Sequence, residues 1–595
     1  MTGWEVVAGR PTMTRFLIDR QSRFLTWCGN PSKPARLPIV IFMTLLVTGF
    51  IGASQTGLFD RDEPRYAQAT REMVASGDWV VPSFNGEPRL HKPVLIYWLM
   101  AASYTMFGDN ALAARLPSIL AGACAGTLIF LMVNRWWGRR CALWASLIWA
   151  TVPLTLVESR MATTDSVLNL FTLAMLACIA RLYQSPSRLV ARLFWLAMGL
   201  SILTKGPVGL LAVVSAMLGC QFLSGIKLQW KWLRPIEGLA ILAAVVMPWV
   251  ITATIQTHGD FLRFAVGREL LGRTVAPAEG HSGLPGYYLA MLAPLFFPWC
   301  CFLPMAVKRA WAKRSTDPRM GFLLGWAFGP LVVLELMATK LVHYHYSGYA
   351  ALAILAASEI SQLEQLELRP NLLAGGRFLR GSLITSIALA AMIFLGLAWV
   401  STWAVAIPSL LIVAVFIWTF QRIIPALNHG QWSSVLRVTT SGWIMVCLLV
   451  FAWLVPAGDS RRLSSQVSSR ILDQSHRLQV PIALGEFREP SLIFGIDSSS
   501  EIPISRSMTQ TRSIVTERGA ILMALSATEL GKVQSMNDLE VQTLEKVEAL
   551  DWDRGRRRSL TICLLTRRPE ERLAELPGRS ELVPNRATPD PVKRY

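Results

Sequence analysis

The chain has 595 residues, of which 52% are hydrophobic and only 16% charged, with a mean hydropathy of +0.40. A soluble protein of this size carries nearer a quarter charged residues, so this composition excludes an ordinary soluble enzyme. The formal net charge of +19 invites a nucleic-acid reading, but Lys and Arg concentrate in short loops between apolar runs. The positive-inside rule explains that placement without a nucleic acid.

Residues 1–36 are basic and polar, with Arg10, Arg15, Arg20, Arg23, Lys33 and Arg36 against Glu5 and Asp19. No cleavable signal pattern is visible, so this segment is expected to stay in the cytoplasm, whether translation starts at Met1 or Met13. Apolar runs near 37–57, 113–133, 141–157, 166–183, 193–204, 207–223, 236–255, 285–306, 320–338, 347–361, 381–400, 404–420 and 437–456 predict about thirteen spans. Alternate connections are basic, for example Arg135, Arg139 and Arg140, then Lys227, Lys231 and Arg234. The alternation puts the C-terminus on the outer side. The expected fold class is therefore mainly α, a polytopic helical membrane domain over 37–456. The nine cysteines lie mostly in apolar runs without metal-ligand spacing.

Two outer loops break the charge pattern. One is 58–112; the other, 256–284, carries Arg263, Arg268 and Arg273. In the first, Asp62 and Glu63 precede Pro64, an order that predicts a helix with Asp62 as its N-cap. Tyr66, Ala69, Met73 and Val74 then recur at helical spacing, a face that fits the membrane surface while the charges look to solvent. Lys92 sits beside Pro93 where an apolar helix resumes; it is either an interfacial anchor or a grip for an anionic headgroup, with Arg65 and Arg89 nearby. Asp165 opens another span, as a cap or as a site acid. Lys205 lies between two apolar runs, and "TKLVHYHYSGY" clusters Lys340, His343, Tyr344, His345 and Tyr346. The topology puts all of these groups on one membrane face.

Beyond 456 no span follows. Short runs at 481–487, 491–496, 520–525 and 560–566 read as strands, and "LEVQTLEKVEAL" at 539–550 reads as helix, so 457–595 is expected to be a small α/β domain outside the membrane. The stretch from Arg568 onward reads as weakly ordered.

The block "DEPRYAQATREMVASGDWVVPSFNGEPRLHKPVLIYWL", with "ARLPS", "TTDSVLNLF", "LTKGPVGLL", "FAVGREL" and "TKLVHYHYSGY", resembles the bacterial aminoarabinose transferase-like glycosyltransferases. These belong to the GT-C superfamily, which also holds the protein O-mannosyltransferases. The resemblance covers about residues 40–350. It implies an inverting transfer of a sugar, aminoarabinose-like or related, from undecaprenyl phosphate, with a lipid A, lipopolysaccharide or other envelope acceptor, on the periplasmic face of a bacterial inner membrane. It gives Asp62 the catalytic role, with Glu63 and Asp165 as accompanying acids. Lys92, Arg65, Arg89 and Arg268 would take the donor phosphate, and Lys340 and Tyr344 would contact the same cavity. Lys205, His343 and Tyr346 are further candidates. The chain departs from the pattern at His91, where relatives often have Glu, and at Glu269-Leu270, where they often have "EH". A divalent ion held by His91 and Glu269 is thereby left open, and no other cofactor is implied. Ser347 and Gly348 also interrupt the "YxLP" pattern. A protein O-mannosyltransferase-like enzyme and a lipid-linked-sugar transporter are the rival readings. The partners expected are a polyprenyl-phosphate-linked sugar, an envelope acceptor and membrane lipids, with no nucleic acid.

Overall fold

The structure is a computed structural model that describes residues 36–59, 61–265, 267, 283–366, 376–400, 402–429, 431–496, 501–551 and 556–568. It divides into two compact units, residues 1–460 and 461–595. Among the described residues of the first unit, eight helices are long and apolar enough to cross a membrane. A ninth joins them if the pair Tyr287–Leu295 and Trp299–Lys313, bent by 117°, counts as one span. The chain is a multi-pass membrane protein. Fewer helices qualify than the thirteen apolar runs suggest: the runs at 37–57 and 141–157 form the helices Arg36–Phe50 and Arg139–Thr151, of 15 and 13 residues. A helix needs about 20 residues to cross the hydrocarbon core.

Small residues set one of the closest helix contacts. Gly321, Gly325 and Gly329 recur every four residues along the Pro318–Leu336 helix, facing Ser215 and Gly219 on Leu210–Ser224. A Cβ built on Gly325 would lie 2.3 Å from the Ser215 carbonyl oxygen, and one on Gly219 would lie 2.4 Å from that of Gly321. The backbones touch, as in small-xxx-small packing, where van der Waals contact replaces the hydrophobic drive absent in lipid.

The charged first loop folds inward. The Asp62–Ser76 helix places Asp62 and Glu63 in its first turn, where the helix dipole favours negative charge, and ends at Gly77 in the left-handed region (φ 72°). Two expectations are corrected here. Arg61, not Asp62, occupies the N-cap position, without a side-chain cap bond. Nor do all the charges face solvent: while Asp62 stays exposed, Glu63, Arg71 and Glu72 are buried together with Gln68, Tyr66, Ala69 and Met73. The neighbouring chain covers them. Glu72 accepts bonds from Ser83 Oγ, Asn85 N and Gly86 N at 2.7, 2.7 and 3.2 Å, clamping the turn of a hairpin formed by Ser83–Phe84 and Glu87–Pro88. Arg71 Nε lies 2.7 Å from Asp109 Oδ2.

In the second unit an antiparallel sheet has the order Ala520–Leu525, Arg556–Arg567, Leu539–Asp551. The segment read as helix, 539–550, is thus a strand. Leu539, Val541 and Thr543 alternate with polar residues, and a register shift between Thr543 and Glu545 resets the alternation toward Val547 and Ala549. Conversely, 491–496 is helical rather than extended, in the helix Pro490–Gly495 with Pro490 in its first turn. The 481–487 run contributes only isolated bridges, Ile482 to Leu522 and Leu484 to Ile504.

Candidate active site

Glu63 and Arg115 organise the region around the site. Arg115, on the helix Ala111–Trp137, donates from Nε and Nη2 to the two Glu63 carboxylate oxygens at 2.9 and 2.8 Å. Its Nη1 also reaches Ala53 O and Thr56 O at 2.8 and 2.9 Å, and its Nη2 reaches Gly57 O at 2.8 Å. Glu63 further accepts the backbone N–H groups of Phe59 and Ala162 at 2.7 and 2.6 Å. One buried pair thus ties together the chain entering the first loop, the loop's own helix and the segment leading to Asp165.

Next to this pair opens a cavity lined by Asp62, Arg65, Tyr66, Arg89, His91, Lys92, Thr163, Asp165, Lys205, Thr339, Leu341, His343 and Tyr344. Asp62 and Asp165 each occupy the first position of a helix, with no side-chain cap bond at either start. Both residues line the cavity. Asp165 Oδ1 accepts from Lys205 Nζ at 2.6 Å, and Lys205 lies 5.6 Å over the Tyr344 ring. Asp62, with 61% of its side chain exposed, is 3.9 Å from Arg65 Nη1.

Of the residues singled out in the sequence, the cavity gathers Asp62, Arg65, Arg89, His91, Lys92, Asp165, Lys205, His343 and Tyr344 from four separate segments. Three others lie elsewhere. Glu63 is enclosed by Arg115. Lys340 is buried with its Nζ 2.6 Å from Glu335 Oε2. Tyr346 is buried and stacked on Trp149 at 5.2 Å. Arg268 and Glu269 lie outside the described residues. His91 packs edge-on against Phe264 at 4.7 Å, and among the described residues no group of three His, Cys, Asp or Glu side chains could hold a metal ion.

The sequence reading missed Tyr66, Tyr97, Arg115 and Glu158. Arg115 stands within the quoted "ARLPS", yet a lone arginine opening an apolar helix carries no sign of its partner. Glu158, buried at the end of the helix Pro153–Glu158, lies 3.9 Å from His343 Nδ1. Burial, reinforced by the nearby Asp165 charge, holds the Glu158 carboxyl well above the ordinary range. Burial also lowers the His343 imidazole, partly opposed by Asp165. Burial raises the Tyr66 phenol well above the usual tyrosine range, with Tyr97 adding to it.

This geometry can be set beside known proteins. The crystal structure of ArnT from Cupriavidus metallidurans bound to undecaprenyl phosphate superposes with a TM-score of 0.71 at 22% identity, covering 89% of this chain and 98% of that one. The chain has the ArnT fold. The apo ArnT structure from the same organism gives a TM-score of 0.68 at 20% identity. The family model described as dolichyl-phosphate-mannose-protein mannosyltransferase matches residues 91–252. In sequence, the chain is 33% identical over 316 residues to the undecaprenyl phosphate-alpha-4-amino-4-deoxy-L-arabinose arabinosyl transferase of Edwardsiella ictaluri, covering 51% of this chain. It is 32% identical over 351 residues, 58% of this chain, to the protein of that name from Pseudomonas aeruginosa. The match spans 56% and 63% of those two relatives. The resemblance read from the motif block to ArnT-like proteins therefore stands in both sequence and fold.

Proposed function

We propose that this chain is an inverting glycosyltransferase that moves a sugar from undecaprenyl phosphate to an acceptor of the bacterial envelope. One observation carries the reading: a single cavity brings together the Asp62 carboxylate, the Lys92 ammonium and the Asp165–Lys205 pair, on a fold shared with an undecaprenyl phosphate-bound transferase. In this reading an acceptor oxygen attacks the anomeric carbon as the bond to the phosphate oxygen breaks. The electron pair stays on that oxygen, so the phosphate leaves with one more negative charge. Lys92 and Arg65 meet that charge with preorganised cations, worth a few kcal/mol per group. Asp62 takes the proton of an acceptor hydroxyl, or orients an acceptor that is already ionised. Lys205 holds Asp165 in place beside the reacting centre through their 2.6 Å contact.

The same proposal places the chain in the inner membrane with the cavity on the periplasmic face. Alternating loop charge supports this, as it supports the finer count of about thirteen spans with a periplasmic α/β domain over 457–595. The acceptor is lipid A, lipopolysaccharide or another envelope glycan. Mass spectrometry of lipid A, envelope glycans and glycopeptides, with and without the protein, tests the reading. A sugar lost from a lipid or glycan supports it; a hexose lost only from peptides would favour the O-mannosyltransferase alternative, toward which the match over 91–252 points.

A further inference from the structure

Arg89 differs from the other cations of the cavity. Its residue is 9% exposed, and it directly follows the hairpin that Glu72 clamps. Its backbone N–H donates to Pro82 O at 2.7 Å, its Nε donates to Tyr97 Oη at 3.0 Å, and its guanidinium lies 5.0 Å over the Tyr66 ring. The two rings are themselves packed, 5.6 Å apart. The side chain is therefore gripped through its Nε and one face by neutral phenols. Among the described residues no carboxylate lies within ion-pair distance of it, and neither Nη has a hydrogen-bond partner.

A buried guanidinium without a counter-ion is costly, because the desolvation of its charge is not repaid. The carboxylates of the cavity repay it only in part: the Asp62 charge favours the Arg89 cation, but from beyond ion-pair distance. Asp165 is held by Lys205 at 2.6 Å, and Asp62 lies 3.9 Å from Arg65. A phosphodiester donor brings a single negative charge, for which Lys92 stands at the start of the apolar helix Leu95–Phe107. We infer that Arg89 holds a second oxyanion, distinct from the donor's bridging phosphate, through the two parallel N–H···O bonds that its open fork can make. This rests on the transfer reading and deepens it. Such a group is a carboxylate on the transferred sugar or a phosphate on the acceptor. A cationic amino group placed against Arg89 would be repelled.

The test compares Arg89→Gln, Arg89→Lys and Lys92→Ala with the wild-type protein in lipid nanodiscs. Undecaprenyl phosphate binding, read by native mass spectrometry, is expected to survive in Arg89→Gln and to fall at least about tenfold in Lys92→Ala. Transfer is then measured in two arms: a uronic-acid donor with a neutral acceptor, and a neutral-hexose donor with a phosphorylated lipid acceptor. In the arm that carries the recognised oxyanion, Arg89→Gln is expected to raise KM about tenfold or more. Arg89→Lys should recover only part of this, since an ammonium is a point charge without a fork. Loss of undecaprenyl phosphate by Arg89→Gln to the same extent as by Lys92→Ala would overturn the inference, as would an unchanged KM in both arms. If the wild-type protein transfers nothing, the glycosyltransferase reading fails on its own. Thermal stabilisation by glucuronate or by inorganic phosphate, compared between wild type and Arg89→Gln, then decides the Arg89 site: stabilisation lost in the variant supports it, and equal or absent stabilisation overturns it.

Discussion

Glu63 and Arg115 meet at 2.8 Å with side chains 0% and 2% exposed, while the adjacent Asp62 looks into the open cavity. Two neighbouring acids of one motif therefore have different physical roles. Removing one partner of a buried pair strands the other charge, at a cost of about 3–5 kcal/mol. Glu63→Gln is thus expected to lower the unfolding temperature in detergent sharply, whereas Asp62→Asn leaves it near the wild-type value. Equal unfolding temperatures for the two variants would refute the division.

Asp62→Asn tests the chemical role directly. The amide keeps the size and position of the side chain at the first turn of its helix but cannot accept the acceptor's proton. Transfer is expected to fall by about a hundred- to ten-thousandfold, the range associated with a positioned acid or base. Undecaprenyl phosphate should still bind. Retained turnover in this variant would sink the assignment of Asp62.

Lys92→Ala should act on the donor. If the ammonium meets the developing charge on the phosphate, both donor affinity and the transfer rate fall, the rate by a few kcal/mol of barrier. A merely interfacial anchor would change neither, because other side chains reach the headgroups. Donor titration with single-turnover kinetics separates the two roles.

Much of this site was legible because its chemistry is carried by charged residues in a chain that otherwise avoids them. Asp165 and Lys205 stand out against apolar runs, Asp62 and Lys92 lie in an outer loop that breaks the charge pattern, and all four converge on one cavity. What stayed hidden is partnership. Glu63 and Lys340 look like site residues until Arg115 and Glu335 are seen to enclose them. The second unit shows a different limit: 539–550 combines good helix formers with a period-2 pattern broken by one extra residue. Cross-strand pairing overrides propensity there. Helix contacts made by glycine were equally silent, since Gly325 has no side chain to announce the neighbour it admits.

That contact gives its own prediction. A Cβ on Gly325 would meet Ser215 O at 2.3 Å and Gly219 Cα at 2.7 Å, both backbone atoms that no rotamer change can move. Gly325→Leu is expected to force the Leu210–Ser224 and Pro318–Leu336 helices apart, lowering folded yield and unfolding temperature. Gly381→Leu is the control, because a Cβ there meets nothing within 4 Å. Size-exclusion profiles of both variants in detergent check it, and a Gly325→Leu protein as stable as the control would contradict the close packing.

Glu158 and His343 predict opposite pH dependences of stability. The folded Glu158 carboxyl titrates well above the ordinary range, through burial first and then Asp165, Asp62 and Glu63, with Lys205 opposing. The folded state therefore binds this proton more tightly than the unfolded chain. Its contribution is fully present below the ordinary carboxyl value and is lost as pH rises toward the folded value. The folded His343 imidazole lies below its ordinary value, because burial and the charges of Lys205 and Lys92 outweigh Asp165 and Asp62. Its contribution is present above the ordinary imidazole value and is lost as pH falls through and below it. Unfolding temperatures measured from about pH 5 to 8 should thus fall less steeply on the alkaline side in Glu158→Gln, and less steeply on the acid side in His343→Gln. An alkaline slope unchanged by Glu158→Gln would mean that Glu158 is already ionised beside Asp165, and the buried neutral acid would have to be abandoned.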